Sequence, residues 1–451
     1  MVRGGTVVRA RAEPAVCDVA VGDDRIVALG ADLDVAGSVE MDAAGLHVLP
    51  GGVDPHVHCN EPGRTGWEGF ATATAAMAAG GCTAFADMPL NSLPVTVDPD
   101  SFDRKLEAAS ESALIDFGLW GGLVPGGLDH LEALARRGAL GFKAFLCDSG
   151  LAEFPAADDL TLWQGMRVCA QLGAIVLVHA ESAPIVEELA RRSRAAGRVG
   201  PADFAAARPV EAELEAISRA IFFAGETGCA LHVVHVSSAR GVGLVERARA
   251  GGVDVSCETC PHYLVLTAED VEELGAVAKC APPVRPAGEG DALWELVRTG
   301  VLPIVASDHS PCPPALKRGR DFFDAWGGIA GCQTTRQLLL ARRPGGLDLS
   351  PGTVAAVTAT NAAARFGLAG KGAVEVGKDA DLALVDLSRE WALTAAELRY
   401  RHPQSPFVGR TVRGRVVRTL LRGRTVYEEG RVVSGARGRL LTPARPDARP
   451  A

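Results

Sequence analysis

Several apolar segments of this sequence end in histidine or aspartate, side chains that commonly bind catalytic metal ions. The first ends at His56-Val57-His58, and because side chains alternate along a strand, both imidazoles would lie on one side of it. Later segments end at His179, at His235 and at Asp308-His309. A single histidine after a strand is usually a hydrogen-bonded core residue. Four histidines and an aspartate at four such places instead predict a metal site.

The number of candidate ligands indicates two metal ions, since five side chains exceed the four that a tetrahedral zinc ion needs. Two adjacent dications also need a bridging anion. No acidic residue closes the fourth apolar segment, which instead contains Lys143. Lys143 has two interpretations: a charged residue near the rim, or a lysine that CO2 has converted to a carbamate able to bridge two cations. Charge balance favours the carbamate.

Eight apolar segments of strand length, separated by stretches of helical period, would position these residues. The segments are residues 52–58, 83–88, 116–123, 141–145, 175–181, 230–237, 254–259 and 302–309. Eight successive βα units favour a closed, TIM-like (β/α)8 barrel over an open doubly wound sheet. An open sheet would also predict a glycine-rich dinucleotide-binding turn after the first strand, which the sequence lacks. In a barrel the strand ends meet at one face, so the candidate ligands would lie together.

The two ends of the sequence differ from the middle and contain short strands joined by turns. We interpret residues 1–50 and 374–442 as one small discontinuous β-sandwich domain. The barrel, residues 51–373, would be inserted between the two halves of this domain. Residues 443–451 are rich in proline, alanine and arginine, and we expect a loose tail there.

Composition excludes several classes of partner. The net charge of −9 argues against nucleic acids and anionic membranes, which attract basic proteins. No apolar run approaches the ~20 residues that cross a bilayer, and the first residues lack the apolar core of a signal peptide. Eleven cysteines spread over 451 residues do not resemble a secreted disulfide scaffold. We expect a cytoplasmic enzyme with a small-molecule substrate, and buried strand cysteines rather than a structural zinc at Cys257 and Cys260.

The motif His56-Val57-His58, followed by residues 60–64, Lys143 and the later histidines and aspartate, resembles the cyclic-amidohydrolase branch of the amidohydrolase superfamily. This branch includes dihydroorotases, hydantoinases, dihydropyrimidinases and allantoinases, and the resemblance covers nearly the whole chain. It implies a homo-oligomer, a tetramer in most relatives. It also implies two divalent ions, which we expect to be zinc, with cobalt, manganese or iron as alternatives.

The resemblance assigns a role to each candidate ligand. It implies that His56 and His58 bind the more buried metal, and that His179 and His235 bind the more exposed one. The carbamate of Lys143, derived from CO2, would bridge the two ions. Asp308 would be a ligand and also the proton shuttle of the reaction.

Finer motifs resemble the allantoinases within this branch. They are residues 61–64, 67–69, 87–91, 257–263, 279–285, 307–314, 325–331 and 400–402. This likeness implies hydrolysis of the hydantoin ring of allantoin to allantoate. The implied substrate contacts are Asn91, Cys280, Ala281, Trp326 and Gly327. Several relatives carry serine where this chain has Ala281, so only the backbone of that residue is available to the substrate.

Other activities remain as alternatives. Dihydroorotases usually carry an arginine at the position of Asn60 to hold the substrate carboxylate, so that activity is disfavoured. A hydantoinase or dihydropyrimidinase would use the same machinery on a related ring. An inactive scaffold homologue would typically have lost metal ligands, and a mononuclear deaminase would not need Lys143. We interpret Glu68 and Glu181 as rim or supporting residues, and His262 and His309 as orienting groups or hydrogen-bonded wall residues.

Overall fold

The computed structural model describes residues 1–10, 12–34, 39–319, 321–433, 435 and 437–444. The chain begins with five strands: β1 (Val2–Arg9), β2 (Ala12–Gly22), β3 (Arg25–Gly30), β4 (Met41–Asp42) and β5 (His47–Pro50). Asp23 and Asp24 join β2 to β3, and both have positive φ angles, of 50° and 67°. Aspartate tolerates this left-handed conformation better than most residues, which explains why the chain reverses there.

The middle of the chain forms a ring of parallel strands. They are β6 (Gly52–Val57), β7 (Cys82–Asp87), β8 (Asp116–Leu119), β9 (Gly121–Gly122), β10 (Gly141–Phe145), β11 (Ile175–His179), β12 (Leu231–Val233), β13 (Val255–Thr259) and β14 (Ile304–Val305). Strands β6 to β8 pair in order, as do β9 to β14. Val57 pairs in parallel with His309, which brings the last strand segment back to the first. The predicted (β/α)8 barrel is confirmed.

Helices separate the strands and cover the outside of the barrel. They are α1 (Phe70–Ala79), α2 (Pro99–Ser112), α3 (Leu131–Arg136), α4 (Asp159–Gln171), α5 (Ala183–Ala195), α6 (Pro201–Ala206), α7 (Val210–Thr227), α8 (Ala239–Ala250), α9 (Pro261–Val265), α10 (Ala268–Leu274), α11 (Ala287–Arg298), α12 (Thr335–Leu340), α13 (Pro351–Ala355) and α14 (Asn361–Arg365). Asp98 and Asp158 cap α2 and α4 by accepting backbone hydrogen bonds from Ser101 and Thr161. Within the described ranges, no helix is long and apolar enough to span a membrane.

The chain ends with strands β15 (Leu382–Ala392), β16 (Thr411–Leu421), β17 (Arg424–Glu428) and β18 (Arg431–Val432). β15 runs antiparallel to β5, with Leu382 opposite Pro50 and Val385 opposite His47. The two ends of the chain therefore share one nine-stranded sheet, in the order β18-β17-β16-β15-β5-β1-β2-β3 with β4 beside β1. This sheet-rich domain follows the expectation that the two terminal segments assemble together.

A buried ion cluster fastens the terminal sheet to the barrel. The ammonium of Lys371 lies 2.6 Å from the carboxylate of Asp116, where β8 begins, and 2.8 Å from that of Asp381, which precedes β15. Further along the chain, Leu440 pairs with Phe117 of β8. Of the predicted tail, Ala444 donates its backbone N–H to Gly367, and residues 445–451 lie outside the described ranges.

Candidate metal centre

A cavity of about 440 Å³ lies at the ends of the barrel strands. Five of the six predicted metal ligands line it: His56, His58, His179, His235 and Asp308. All five predicted substrate contacts line it as well: Asn91, Cys280, Ala281, Trp326 and Gly327. The structure thus brings to one place residues that are more than 250 positions apart in the chain.

His56, His58 and Asp308 form the first group of ligand atoms. Oδ1 of Asp308 lies 3.2 Å from Nε2 of His56 and 3.5 Å from Nε2 of His58. Burial lowers the pKa of His56 well below its ordinary value, which keeps the imidazole neutral. Two imidazole nitrogens and a carboxylate oxygen at this spacing can surround one divalent ion.

His179 and His235 form the second group. Nδ1 of His179 lies 3.0 Å from Nε2 of His235. The ring of His235 lies 5.4 Å from that of His56, centroid to centroid, so the two groups are neighbours. Burial lowers the pKa of both His179 and His235. Both histidines are therefore neutral and can offer a lone pair to a metal ion.

The backbone is strained at two of these residues. His235 and Asp308 adopt positive φ angles of 40° and 44°, just beyond β12 and β14. Residues other than glycine rarely adopt this conformation, and it tends to be retained where a side chain must be aimed at a functional site. Here it accompanies two side chains that point into the cavity.

Lys143 lies on β10, behind the cavity lining. Its side chain is fully buried, and its Nζ has no hydrogen-bond partner among the described residues. Burial lowers the pKa of this ammonium to about 7, and its charge acts on the pKa values of His56, His179 and His235. A buried amine without a hydrogen-bond partner, beside both groups of histidines, is unusual because burial of such a polar group costs free energy.

Glu258, on β13, contacts a candidate ligand and has no role predicted from the sequence. Its Oε1 accepts a hydrogen bond from Nδ1 of His56 at 2.6 Å, and its Oε2 accepts one from Nε2 of His232 at 3.1 Å. A carboxylate on Nδ1 leaves Nε2 of His56 free to bind a metal ion. The signal in the sequence was an acidic residue near the end of a predicted strand segment, residues 254–259.

Asp54 is a second residue that the sequence did not identify. Its Oδ1 accepts backbone hydrogen bonds from His56 at 3.3 Å and from Ser307 at 3.1 Å. Burial raises the pKa of Asp54 to about 6. The side chain thus joins the first and last strand segments directly beneath the ligands they carry.

Glu181 and Glu68 both support neighbouring groups. Oε2 of Glu181 lies 2.8 Å from Nε2 of His179 and also pairs with Arg208. Glu68 accepts a hydrogen bond from the backbone of Arg401 at 3.1 Å. His309 accepts a hydrogen bond from the backbone N–H of Gly331 at 3.2 Å, which corresponds to the wall interpretation.

Two lysines hold the loop that carries Trp326 and Gly327. The ammonium of Lys279 donates to the carbonyls of Phe323 and Ala325, and that of Lys317 donates to the carbonyls of Trp326 and Gly328. Burial lowers the pKa of Lys279 to about 7. The sequence does not reveal these contacts because they run to backbone atoms.

The chain is similar in sequence to proteins of known family. Residues 47–426 match the model of a family described as the amidohydrolase family. The chain is 58% identical to an allantoinase from Rubrobacter xylanophilus, over 99% of this chain and 98% of that protein. It is 51% identical to an allantoinase from Solibacter usitatus, over 98% and 96%.

Solved structures show the same fold. An L-hydantoinase (dihydropyrimidinase) from Arthrobacter aurescens superposes with a TM-score of 0.94 at 35% identity, covering 98% of this chain and 99% of that one. A dihydropyrimidinase from Brevibacillus agri superposes with a TM-score of 0.90 at 33% identity, covering 99% of each chain. Both similarities extend over the barrel and the terminal sheet.

Proposed function

The chain belongs to the amidohydrolase family, and we propose that it hydrolyses an amide bond in the hydantoin ring of allantoin to give allantoate. The observation that carries this proposal is the gathering of five of the six predicted ligands and all five predicted substrate contacts around one cavity. The proteins named allantoinase that it resembles, at 43–58% identity over nearly the full chain, support the choice of ring.

We propose that His56, His58 and Asp308 hold one divalent ion, and that His179 and His235 hold a second. The donor set of neutral imidazoles and a carboxylate fits zinc, and it also suits cobalt, manganese or iron. Two such ions would lower the pKa of a water molecule held between them toward ~7 and polarise the scissile carbonyl.

The amine of Lys143, which has no hydrogen-bond partner among the described residues, supports a carbamate bridge. An amine whose pKa lies near 7 is partly neutral at physiological pH, and the neutral form attacks CO2. The nitrogen forms a bond to carbon and loses a proton, which leaves an anionic carbamate. This change replaces a buried cation beside four histidines with an anion that matches the charge of two cations.

Asp308 moves the proton in the proposed reaction. Its carboxylate, within 3.5 Å of both His56 and His58, accepts a proton from the attacking water and returns it to the departing ring nitrogen. Glu258 and Glu181 orient His56 and His179 throughout. No organic cofactor takes part.

The charges that line the cavity favour an uncharged ring. Arg194, Arg208 and Lys279 line it, but each is already paired with carboxylates or carbonyls of the protein. Asn60 donates to the carbonyl of Pro311 at 3.0 Å and is 1% exposed, so it offers no clamp for a substrate carboxylate. Allantoin suits this site better than dihydroorotate does. The backbone at Cys280, Ala281 and Gly327 would hold its polar groups.

A hydantoinase or dihydropyrimidinase activity is the second candidate, and the TM-score of 0.94 against the hydantoinase from Arthrobacter aurescens favours it. The experiment is to compare kcat/KM for allantoin, hydantoin, dihydrouracil and dihydroorotate in zinc-loaded protein supplied with bicarbonate. We expect allantoin to be preferred by at least about tenfold. A higher kcat/KM for hydantoin or dihydrouracil would be consistent with the proposed mechanism but would show that allantoin is not the preferred substrate.

We further propose the domain boundaries at residues 50 and 374, a homotetrameric assembly and a cytoplasmic location, on the resemblance to the family. Light scattering of the purified chain tests the assembly, because a tetramer has four times the mass of the 46.9 kDa chain.

A further inference from the structure

A second cluster of metal-competent side chains lies beside the proposed centre. Cys260, His262 and Asp308 each offer a ligand atom, and these three atoms lie within 4.8 Å of one another. Cys260 is fully buried and His262 is 1% exposed. Neither side chain takes part in the reaction proposed above. The cluster therefore contains two potential metal ligands, Cys260 and His262, to which no function is yet assigned.

The imidazole of His262 lacks the partners that a buried histidine normally has. Neither Nδ1 nor Nε2 has a hydrogen-bond partner among the described residues. The ring packs edge-on against Tyr263, with centroids 4.3 Å apart, which fixes its orientation. Because burial of an unsatisfied polar group costs free energy, two unpaired nitrogens on one buried ring point to a missing ligand.

In a similar cluster nearby, both ring nitrogens of the histidine have hydrogen-bond partners. Cys147, His179 and Glu181 also lie within 4.8 Å of one another. There the carboxylate of Glu181 is hydrogen-bonded to Nε2 of His179 and paired with Arg208, so its charge is balanced by the protein itself. At the cluster of Cys260 and His262, neither ring nitrogen of the histidine has such a partner among the described residues.

We propose that Cys260, His262 and Asp308 form a binding site for a thiophilic divalent cation such as Cd²⁺. A thiolate beside an imidazole selects soft metal ions over the hard ions that carboxylates prefer. Zinc-like bond lengths of ~2.3 Å to sulfur and ~2.0 Å to nitrogen are compatible with ligand atoms at this separation. Asp308 and Cys280 both line the cavity at the ends of the barrel strands, so the ion reaches the site through this cavity.

Occupation of this site inhibits the enzyme, a consequence that rests on the proposed function of Asp308. Oδ1 of Asp308 faces His56 and His58. A cation held by Cys260 and His262 draws the same carboxylate away from its role in proton transfer. Binding of the cation itself does not depend on the reaction.

The test is a titration of the zinc-loaded protein with Cd²⁺, followed by the ultraviolet charge-transfer absorption of a thiolate bound to cadmium. The proposed catalytic ligands contain no sulfur, so this absorption reports cysteine ligation only. Cys17 is the cysteine that is not buried, and every variant is therefore made in a Cys17→Ser background. In that background we expect one saturable site per chain.

Two variants locate the site and two serve as controls. Cys260→Ser should abolish the absorption, and His262→Gln should weaken cadmium affinity by at least about tenfold. Cys147→Ser and Cys257→Ser should leave the titration unchanged. An absorption that survives Cys260→Ser, or that disappears in Cys147→Ser, overturns the proposal. If Cys260→Ser does not fold, the cadmium affinity of His262→Gln tests the proposal, and an unchanged affinity overturns it.

Allantoin turnover on the same samples separates the two claims. In the parent protein, turnover should fall as the cadmium site fills and recover when a thiol chelator is added. Filling of the site without inhibition rejects the inhibitory role. Absence of allantoin turnover before any cadmium is added counts against the proposed function and leaves the binding result intact.

Discussion

Nδ1 of His56 lies 2.6 Å from Oε1 of Glu258, and both side chains are buried in the centre of the barrel. The contact directs the imidazole proton toward the carboxylate and leaves Nε2 facing Asp308. Burial raises the pKa of Glu258 well above its ordinary value, whereas hydrogen bonds from His56 and His232 favour its charged form. This pair sets the orientation of the first proposed ligand.

Glu258→Gln should therefore weaken metal binding without removing a ligand. The amide is a poorer acceptor for Nδ1 of His56, and loss of such a supporting carboxylate typically lowers metal affinity by about 10- to 100-fold. Competition with a chelator measures the change. Glu226→Gln, at an exposed position, is the matched control. Unchanged affinity in Glu258→Gln would show that His56 does not need this contact.

Asp308→Asn should separate metal binding from turnover. The amide oxygen still lies beside His56 and His58, so much of the bound metal should remain. An amide cannot accept and return a proton, and turnover should fall by about 10²- to 10⁴-fold. Metal content and kcat are measured on one sample, with Asp324→Asn at the exposed cavity rim as control. Near-normal turnover would remove Asp308 from the shuttle role.

Lys279 makes the stability of the chain depend on pH. Burial lowers its pKa from 10.5 to about 7 in the folded protein. Between these values the unfolded chain holds a proton that the folded chain has released, so raising the pH favours folding. The unfolding free energy of the wild type, measured relative to Lys279→Met in urea, should increase from pH 7 to pH 10.

Lys378→Met controls for the simple loss of one lysine in that experiment. The difference in unfolding free energy between wild type and Lys279→Met could instead stay constant or decrease from pH 7 to pH 10. That result would mean that Lys279 remains charged in the folded protein. Its hydrogen bonds to Phe323 and Ala325 would then be those of a permanent ammonium.

The barrel was predictable because its strands are buried on both faces and most of their residues are therefore apolar. Some strand limits were not predictable. The segment 116–123 is divided at Trp120, whose indole N–H donates to the carbonyl of Pro55 at 2.9 Å. The segment 302–309 contributes only Ile304–Val305 to a regular ladder, and Asp308 beyond it adopts a positive φ angle.

The histidine and aspartate ligands were visible in the sequence because each stands at or near the end of an apolar segment. Glu258 was not, since its partner His56 lies 202 residues away and nothing local marks the pair. The contacts of Lys279 and Lys317 were hidden for another reason: both run to backbone carbonyls, which every residue carries. The order of apolar and polar residues along one segment identifies the end of a strand. The contacts that support the ligands join residues far apart in the chain, and these residues meet only when the barrel closes.

The most direct test of the dinuclear account is metal content and allantoin turnover measured together in wild type, Lys143→Ala and Lys143→Gln. Glutamine retains most of the side-chain length but cannot form a carbamate, so it also controls for the cavity that alanine leaves. We predict about two metal ions per chain and rapid turnover in the wild type. Both variants should hold at most one ion and lose more than ~100-fold in turnover. Two ions and substantial turnover in either variant would contradict the account.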